Sequence, residues 1–441
     1  MIRYDEILIG SGPAAYKLSN LLAKTDHRVL VIEGNQFGGT CPNYGCEPKI
    51  FLAGAARAVI QSQQLVGRGI SHPAVLDWHQ LMQTKLHRFN SWPAETKANI
   101  ERTHDTISGY ASLVDKHIVR VNGVNYEGER IIIATGQSPV VLPIIGNEYL
   151  HTSTEVLSLK DLPSRIIIIG GGIVAMELAT LVAAAGAKVT MLIHSNRILR
   201  AFPSQDVQKV VAAMEARGIR FEYNVTPEAI ETADGGFIVQ TDHGSFPTDY
   251  VIGATGRRPN LDRLHLERVG IKIDHQGIIV DEHLMTNIPG IYAVGDVVSR
   301  SEPKLTPVAE FEGQYLFDYL MGQEKAPIKY PVIGQATFSF PEVALAGVNP
   351  DQVIEDSAYQ IHHQSLKYGS LKAGENDQTS ELTLVYHDDH LVGVSAVGDH
   401  AADEVNYLIP MIGLKISRKQ YQQVAIGIYP ALGDNVGNWL K

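Results

Sequence analysis

Both cysteines of the chain lie in one short segment, Gly38–Lys49, which reads GGTCPNYGCEPK. Cys41 and Cys46 follow a pair of glycines and precede Lys49. Zinc normally takes four ligands, and no Cys or His cluster of suitable spacing accompanies the pair, so we predict no metal site. A nearby cation lowers the pKa of a thiol, which favours a closable redox pair. A structural disulfide, half of a metal site and two unrelated buried cysteines are the alternatives.

Two segments share the order strand, glycine turn, helix, strand. The first begins DEILIGSGPAA at Asp5 and the second RIIIIGGGIVA at Arg165. Each contains Gly-x-Gly-x-x-Ala, formed by Gly10, Gly12 and Ala15 in the first and by Gly170, Gly172 and Ala175 in the second. Such glycines permit a tight turn and a close approach of the backbone to a pyrophosphate at a helix N-terminus. Two copies in this context predict two dinucleotide sites.

The residue at the end of the second strand differs between the two segments. Glu33 ends the first, where a carboxylate accepts hydrogen bonds from ribose hydroxyls and repels a 2′-phosphate. In the second segment Ile193 and His194 take that place, and Arg197 and Arg200 follow. Arginines there can hold a 2′-phosphate through forked hydrogen bonds. The first site therefore favours FAD or NAD, and the second favours NADPH over NADH.

Composition and charge limit the partners of the protein. The 441 residues carry 37 Lys and Arg against 48 Asp and Glu, a net charge of −11. An acidic balance argues against nucleic acid or an anionic membrane as the main partner. The apolar run 166–187 contains three consecutive glycines near its start and Glu177 in its middle, so we interpret it as a buried strand, a turn and a helix rather than a membrane span. With no visible secretory signal, we expect a cytoplasmic protein.

The order of patterns along the chain predicts the architecture. Two similar phrases, RIIIATGQSP from Arg130 and YVIGATGRRPN from Tyr250, are strands that mark domain edges, and IYAVGDVV places Asp296 near the end of a buried strand. After residues 322–331 the composition changes, which indicates a further α+β domain. We predict an α/β protein with two Rossmann-like dinucleotide-binding domains and a C-terminal α+β domain. The predicted bounds are 1–150 and 253–325 for the domain of the first fingerprint, 151–252 for the domain of the second fingerprint and 326–441 for the C-terminal domain.

The segment that holds the cysteines closely resembles the active-site segment of the flavin-dependent pyridine nucleotide–disulfide oxidoreductases, which include glutathione reductase, dihydrolipoamide dehydrogenase and mercuric reductase. The two fingerprints and the phrases ATGRRPN, IYAVGDVV and KLTPVAEFEGQ occur in the order of that family. The resemblance implies a homodimer in which residues 1–150 and 253–325 form the FAD domain, 151–252 the NAD(P)H domain and 326–441 the dimerisation domain. Electrons would pass from NADPH through FAD to the Cys41–Cys46 disulfide and then to a small disulfide or another oxidant.

The resemblance also implies roles for single residues. Cys46 would lie against the flavin, Cys41 would attack the substrate, and Lys49 beside the flavin would pair with Glu177. Asp296 would bond the ribityl chain of FAD. Further cofactor contacts would come from Gly39, Thr40, Ala111, Thr135, Gly136 and Thr306 on the FAD side and from Gly256.

The sequence departs from the family near its C-terminal end. Where disulfide reductases carry His-Pro and a glutamate five positions on, this chain has Tyr429, Pro430 and Asp434. A phenol donates a proton but is a poor base at neutral pH, so proton transfer is weakened or done differently. Tyr429 packing in a dimer interface is the alternative. Leu18 and Gln314 stand where glutathione reductase has arginines for its substrate, so glutathione itself is doubtful.

Two other functions are compatible with these residues. One keeps the flavin and both nucleotides but sends electrons to quinone or oxygen, with the cysteines non-essential. The other is a redox-sensing binding protein that uses the disulfide as a switch. Site chemistry favours the disulfide oxidoreductase over both.

Overall fold

The structure, a computed structural model, describes residues 1–433 and 436–440. Contacts between residues divide the chain into two compact units. The first unit comprises Met1–Lys49, Thr84–Val140 and Gly256–Lys329, and the second comprises Ile50–Gln83, Val141–Thr255 and Tyr330–Lys441. Each unit is therefore assembled from segments that are distant in sequence. The finer division into four segments by cofactor stays a prediction.

A seven-stranded sheet forms the centre of the first unit. In spatial order its strands are Asp105–Ser108, Val29–Glu33, Ile2–Ile9, Val124–Ile133, Ile118–Val121 and Ser112–Asp115, with Ile291–Ala293 also paired to Val124–Ile133. The first four strands and Ile291–Ala293 run parallel, while the last two pair antiparallel. A two-stranded ribbon joins Gln137–Pro139 to Arg257–Pro259. Helices of the unit are Pro13–Leu22, Thr40–Tyr44, Trp92–Ile100 and Thr306–Leu320, with short 3₁₀ turns at Leu266–Arg268 and Gly295–Val297.

The central strand of this sheet is buried on both faces. Ile7 and Ile9 enter one hydrophobic cluster, while Leu8 between them enters another. The second cluster includes Leu18 of the helix Pro13–Leu22 and Leu316 of the helix Thr306–Leu320. Because side chains on both faces of the strand Ile2–Ile9 are buried, its sequence needs consecutive apolar residues and not an alternating pattern. Consecutive apolar residues are typical of a parallel strand that is covered on both faces.

The second unit contains a parallel sheet and two antiparallel ones. In spatial order the parallel sheet consists of Arg220–Tyr223, Lys188–Ile193, Arg165–Ile169, Tyr250–Gly253 and Leu150–His151. A three-stranded sheet follows in the chain, formed by Pro227–Ala233, Gly236–Thr241 and Gly244–Thr248. A five-stranded antiparallel sheet has the order Gly334–Thr337, Glu342–Gly347, His390–Gly398, Glu381–His387 and Tyr359–Ser365. The α+β character predicted for the last hundred residues is thus present.

The second unit also contains eight helices among the described residues. They are Ser153–Val156, Ile173–Ala184, Ser204–Ala216, Pro350–Val353, Ser370–Glu375, Ala401–Gly413, Arg418–Val424 and Val436–Trp439. Two further helices, Cys46–Gln64 and Trp78–Phe89, begin and end in different segments of the two-unit division. A 3₁₀ turn covers Asn147–Tyr149.

The apolar run 166–187 folds as the sequence indicates. Residues Arg165–Ile169 form a strand, three glycines turn the chain, and Ile173–Ala184 forms a helix. Across the residues that the structure describes, no helix combines the length and apolar character that crossing a membrane would require. The interpretation as strand, turn and helix is confirmed.

Candidate redox-active site and nucleotide cradles

The cysteine segment is pressed against the first fingerprint turn by glycines. Gly38 and Gly39 both have positive φ, at 96° and 69°. A Cβ on Gly39 would lie 2.6 Å from the Cα of Gly12, closer than any side chain tolerates. Gly45 separates the short helix Thr40–Tyr44 from the helix that begins at Cys46, and its own Cβ would come within 3.3 Å of the Cα of Cys41. Glycine at these points brings both cysteines to the turn that the sequence assigns to FAD.

The two cysteines are not joined by a disulfide in the structure, and their thiols interact with each other. Cys41 is half-buried and Cys46 is exposed. A hydrogen bond with Cys46 is the main cause that raises the pKa of the Cys41 thiol, and burial adds to it. A reduced pair therefore keeps its second proton on Cys41, since two adjacent thiolates would repel each other. The structure places the two thiols next to each other, as the sequence predicts.

Thr306 lies beside the thiol pair. Its Oγ1 is 3.7 Å from the Sγ of Cys46, and a hydrogen bond from Thr306 lowers the pKa of Cys41 against the larger raising effects. Thr306 is the first residue of the helix Thr306–Leu320, 260 residues after Cys46. The sequence indicated Thr306 as a cofactor contact, and its place next to the thiols was missed.

The first fingerprint forms a cradle whose helix end lacks a side-chain cap. Gly10 has φ +110°, and a Cβ there would lie 2.3 Å from the carbonyl oxygen of Ala134. Gly12 precedes the helix Pro13–Leu22 and offers no side chain to its first amides. Uncapped amides at a helix N-terminus suit a pyrophosphate, so the turn fits the FAD that the sequence predicts there. Ala15 is buried within this helix, as close helix–strand packing requires.

Glu33 ends its strand as predicted, and the structure adds a partner. The carboxylate is buried and accepts hydrogen bonds from the amide and hydroxyl of Ser11, at 3.0 and 2.6 Å, and from the amide of Asn35 at 2.8 Å. The Ser11 hydroxyl in turn accepts from the amide of Gly38 at 3.0 Å. Ser11 was missed by sequence reasoning, although it stands inside the fingerprint. Ser11 thus connects Glu33 to the cysteine segment, and the contact of Glu33 with a ribose stays a prediction.

A buried ion pair holds the turn of Asp296. The Gly295 amide donates to Glu312 at 2.6 Å, and the Gly295 carbonyl accepts from Arg300 at 3.0 Å, while Arg300 and Glu312 bond each other. Lys304 donates to the carbonyl of Asp296 at 2.7 Å. The sequence singled out Asp296 alone. These three charged residues fix the backbone on both sides of it. They were missed because Arg300 and Lys304 lie in the irregular segment after Asp296 and Glu312 lies in the next helix.

The two Ala-Thr-Gly phrases are joined in the first unit. Thr135 and Asn260 exchange hydrogen bonds of 2.9 and 2.8 Å, and the Asn260 amide donates to Gly136 at 3.0 Å. The carbonyl of Gly256, a residue with φ +122°, accepts from the amide of Val140 at 3.0 Å. Ala111 is buried in the cluster beneath the sheet. The ribbon thus has Thr135 and Gly136 at one end and Gly256 at the other, and the cofactor contacts of all three stay predictions.

The second fingerprint repeats the geometry of the first. Gly170 has φ +130°, and a Cβ there would lie 2.3 Å from the carbonyl oxygen of Ala254. Gly172 precedes the helix Ile173–Ala184 and again provides no side-chain cap, and Ala175 is fully buried. The turn therefore fits a second dinucleotide.

The cations after the second fingerprint have different surroundings. His194 is exposed and its Nδ1 lies 3.1 Å from the hydroxyl of Thr226. Arg200 is also exposed, whereas Arg197 is half-buried and forms an ion pair with Asp351 at 3.0 Å. Asp351 lies 154 residues later in the chain and was not foreseen.

The remaining predicted catalytic residues are Lys49, Glu177, Tyr429 and Asp434. Glu177 is buried and accepts from the amide of Phe338 at 2.9 Å, and Lys49 is half-buried. They belong to different compact units, so their pairing stays a prediction. Tyr429 is 78% exposed, and Asp434 lies outside the described residues. Within residues 1–433 and 436–440, no group of three or more His, Cys, Asp or Glu side chains is placed to hold a metal ion.

Comparisons with known proteins decide the family. The sequence pattern of the family described as "Pyridine nucleotide-disulphide oxidoreductase" matches residues 4–313. The chain belongs to this family. The glutathione reductase of Burkholderia cepacia is 30% identical over 448 residues, covering 98% of this chain and 97% of that protein. The dihydrolipoyl dehydrogenase of Bacillus subtilis (strain 168) is 29% identical, covering 98% and 95%.

Solved structures are similar over the whole chain. The HOCl-induced flavoprotein disulfide reductase RclA from Escherichia coli has a TM-score of 0.89 and 25% identity, covering 99% of each chain. A Cu(II) complex of the same protein has a TM-score of 0.90 and 25% identity, covering 100% of this chain and 99% of that one. The predicted fold class is confirmed.

Membership of the family confirms the predicted activity in its general form. The protein is an FAD-dependent oxidoreductase that passes electrons from a pyridine nucleotide to a disulfide or related oxidant. The roles of individual residues, the choice between NADPH and NADH and the identity of the oxidant go beyond this assignment.

Proposed function

We propose that the protein passes two electrons from NADPH through FAD to the Cys41–Cys46 pair, and from there to a small disulfide or another thiol-reactive oxidant. The carrying observation is the position of two interacting thiols at the FAD turn, where Gly39 packs on Gly12. FAD, when bound, accepts a hydride from the nicotinamide and delivers two electrons to a disulfide.

The two thiols have different tasks in this proposal. Cys46, beside Thr306, carries the negative charge of the reduced pair, and Cys41 keeps the proton. Cys41 loses that proton as its sulfur attacks the substrate disulfide, forming a mixed disulfide and releasing the first thiol. Cys46 then attacks Cys41, releases the second thiol and restores the Cys41–Cys46 bond. The two leaving thiolates take up two protons, one that Cys41 gives up and one from solvent, which Tyr429 is proposed to deliver with Asp434 at the orienting position.

The substrate is a small oxidant other than glutathione. Leu18 is fully buried in a helix core, and the amide of Gln314 donates to Asp318 at 3.0 Å. Neither residue provides a cation for the carboxylates of a glutathione disulfide. The Cu(II) complex of RclA adds Cu(II) to the oxidants worth testing, because thiolates are soft ligands that suit copper.

NADPH is the proposed electron donor, with NADH as the less favoured one. The strand Lys188–Ile193 ends without a carboxylate, so nothing at that point repels a 2′-phosphate. His194 and Arg200 are exposed beside it and are the proposed phosphate contacts.

A homodimer in the cytoplasm is the proposed working form. Four apolar or aromatic side chains near the C-terminal end are almost fully exposed, at 78–98%: Val424, Ile426, Ile428 and Tyr429. A second copy of the chain would cover such a patch, since monomeric proteins rarely expose one. Sedimentation velocity of the holoenzyme should give twice the mass of the 48.2 kDa chain. A mass of one chain at micromolar concentration would contradict it.

An anaerobic titration of the holoenzyme with NADPH tests the proposed path. We expect a long-wavelength thiolate–flavin absorbance band after two electrons per subunit, and we expect Cys46→Ser to abolish it. Cys41→Ser is the matched control, because it should retain the band but lose turnover with disulfides. Direct bleaching without a band, together with quinone turnover in the double variant, would favour the quinone or oxygen reductase. Negligible NADPH oxidation would favour the redox-sensing protein.

A further inference from the structure

The loop that carries Arg197 is attached to the second fingerprint turn. The amide of Leu199 donates to the carbonyl of Gly171 at 2.8 Å, and a Cβ on Gly171 would lie 2.5 Å from the side chain of Ile198. Arg197 therefore stands next to the turn that receives the pyridine nucleotide. Its guanidinium is the half-buried cation of this loop, while Arg200 is exposed.

One of the Arg197 nitrogens is already committed, and a second is buried away from any ligand. Nη2 donates to the carbonyl of Phe202 at 2.8 Å and to the carboxylate of Asp351 at 3.0 Å. These two bonds use both of its hydrogens. Nε is buried and has no hydrogen-bond partner among the described residues. Only Nη1 is left to donate to a ligand.

Asp351 is held firmly in this position. The oxygen that accepts from Arg197 also accepts from the amide and hydroxyl of Ser204, at 2.9 and 2.6 Å. Ser204 is the first residue of the helix Ser204–Ala216, so the carboxylate satisfies an amide that the helix itself leaves unpaired. The amide of Asp351 donates to the side chain of Asn349 at 2.9 Å. Most exposed ion pairs are loose, but this carboxylate is fixed from three directions.

The geometry decides what Arg197 can recognise. An arginine reads a phosphate most strongly through two parallel N–H groups on neighbouring nitrogens. Both such edges of a guanidinium, Nε with Nη2 and Nη1 with Nη2, include Nη2. Because Asp351 and Phe202 occupy Nη2, Arg197 cannot fork a 2′-phosphate, and the nearby carboxylate offsets its charge. From the sequence alone, Arg197 is expected to hold a 2′-phosphate through forked hydrogen bonds. That role requires a free pair of neighbouring N–H groups, which this arrangement does not leave.

We propose that Asp351 is a specificity-determining residue that weakens the preference for NADPH over NADH by occupying Arg197. This inference rests on the proposed use of a pyridine nucleotide at the second fingerprint. It assigns discrimination to His194 and Arg200 and predicts that NADH is a serviceable donor. Asp351 does not touch the nucleotide and acts by positioning Arg197.

Calorimetric binding of adenosine 2′,5′-bisphosphate and of 5′-AMP to the oxidised holoenzyme tests this directly. In Asp351→Asn the amide oxygen still accepts from Ser204, but the charge that holds Arg197 is removed. We expect the ratio of affinities, bisphosphate over AMP, to rise about tenfold, as one charge-assisted hydrogen bond gained would give. Arg197→Ala in the native background should change the ratio less than about twofold, within the scatter of independent sites, and in the Asp351→Asn background it should abolish the gain.

Asp249→Asn is the matched control. Asp249 forms an ion pair with Arg165 in the same unit, at the end of the strand Arg165–Ile169 that lies away from the fingerprint turn. The ratio of bisphosphate to AMP affinity in Asp249→Asn should equal that of the native protein. An unchanged ratio in Asp351→Asn, or a large loss in Arg197→Ala alone, would overturn the inference. If the native holoenzyme binds neither ligand, the proposed function fails at this site, which is a different result from binding both with an unaltered ratio.

Discussion

At the scale of single residues, the chemistry depends on how unequal the two thiols are. Cys41 is half-buried beside Cys46, and the hydrogen bond between them raises the pKa of Cys41. A raised thiol pKa means that the proton is kept until a more alkaline pH, so Cys41 is a slow nucleophile in the reduced pair unless a base removes the proton. Tyr429, which replaces the expected histidine, is a weak base at neutral pH.

Alkylation of the reduced holoenzyme by iodoacetamide measures this inequality. Cys46→Ala removes the main cause of the raised pKa, so Cys41 should react faster at pH 8, about tenfold for each unit by which its pKa falls. Thr306→Ala is a control of opposite sign: Thr306 lowers the pKa of Cys41, and its loss should slow the reaction. Mass spectrometry of the Cys41 peptide gives both rates. A slower reaction in Cys46→Ala would contradict the assignment.

At the scale of elements, the two fingerprints are the same device used twice. In each, the first glycine has a large positive φ. A Cβ at that glycine would lie 2.3 Å from a carbonyl oxygen, which belongs to Ala134 in the first fingerprint and to Ala254 in the second. The third residue of each pattern, Gly12 or Gly172, precedes a helix and has an ordinary negative φ. The fold therefore requires glycine at the first position, whereas at the second position only the predicted approach of a pyrophosphate would require it.

Alanine at the two positions of the second fingerprint should separate these requirements. Gly170→Ala places a methyl group against Ala254 at φ +130° and should lower the free energy of unfolding by about 2 kcal/mol or more. Gly172→Ala meets no described atom within 4 Å, so stability should change by less than about 0.5 kcal/mol. Its methyl group would nevertheless obstruct the pyrophosphate, so NADPH affinity should fall about tenfold or more. Thermal unfolding and NADPH binding provide the readouts, and normal binding by Gly172→Ala would refute the assignment.

At the scale of the whole molecule, the second unit buries several carboxyl groups. Asp399 and Glu404 are fully buried, and burial raises the pKa of each to about 7. The neighbouring Asp377 adds to both shifts, while Lys372, whose ammonium lies 2.7 Å from Glu404, opposes them. Ionising these groups in the folded protein is costly because burial removes their hydration, which Lys372 at both groups and Arg217 at Asp399 offset only in part.

Stability should therefore decrease as the pH rises. Each group is protonated in both states below its ordinary pKa, near 4, and the stability it contributes is lost as the pH rises through about 7. The loss is on the order of 4 kcal/mol for each carboxyl group whose pKa is near 4 in the unfolded chain and about 7 in the folded one. The unfolding temperature should be higher at pH 5 than at pH 8, and Glu404→Gln should flatten that slope. The exposed Glu228→Gln should leave it unchanged, and an equal slope in all three proteins would disprove the account.

Local patterns were enough to predict much of this protein. Both strand–turn–helix–strand segments, the burial of the run 166–187 and the position of Glu33 follow from hydrophobic periodicity and glycine spacing within about 30 residues. The interpretation of the cysteines as a neighbouring pair depended on a spacing of the same short range. These features are local, because backbone conformation and side-chain period are decided by near neighbours.

The sequence by itself therefore determined the fold class, the two dinucleotide turns and the presence of a thiol pair. Only the tertiary structure decided which charges are available for chemistry. Arg197 reads as a phosphate-binding cation until Asp351 is found beside it, and Asp296 reads as a lone carboxylate until Arg300 and Glu312 are seen to hold its turn. A charge acts through what lies within a few ångströms, and those neighbours come from distant parts of the chain that no local pattern brings together.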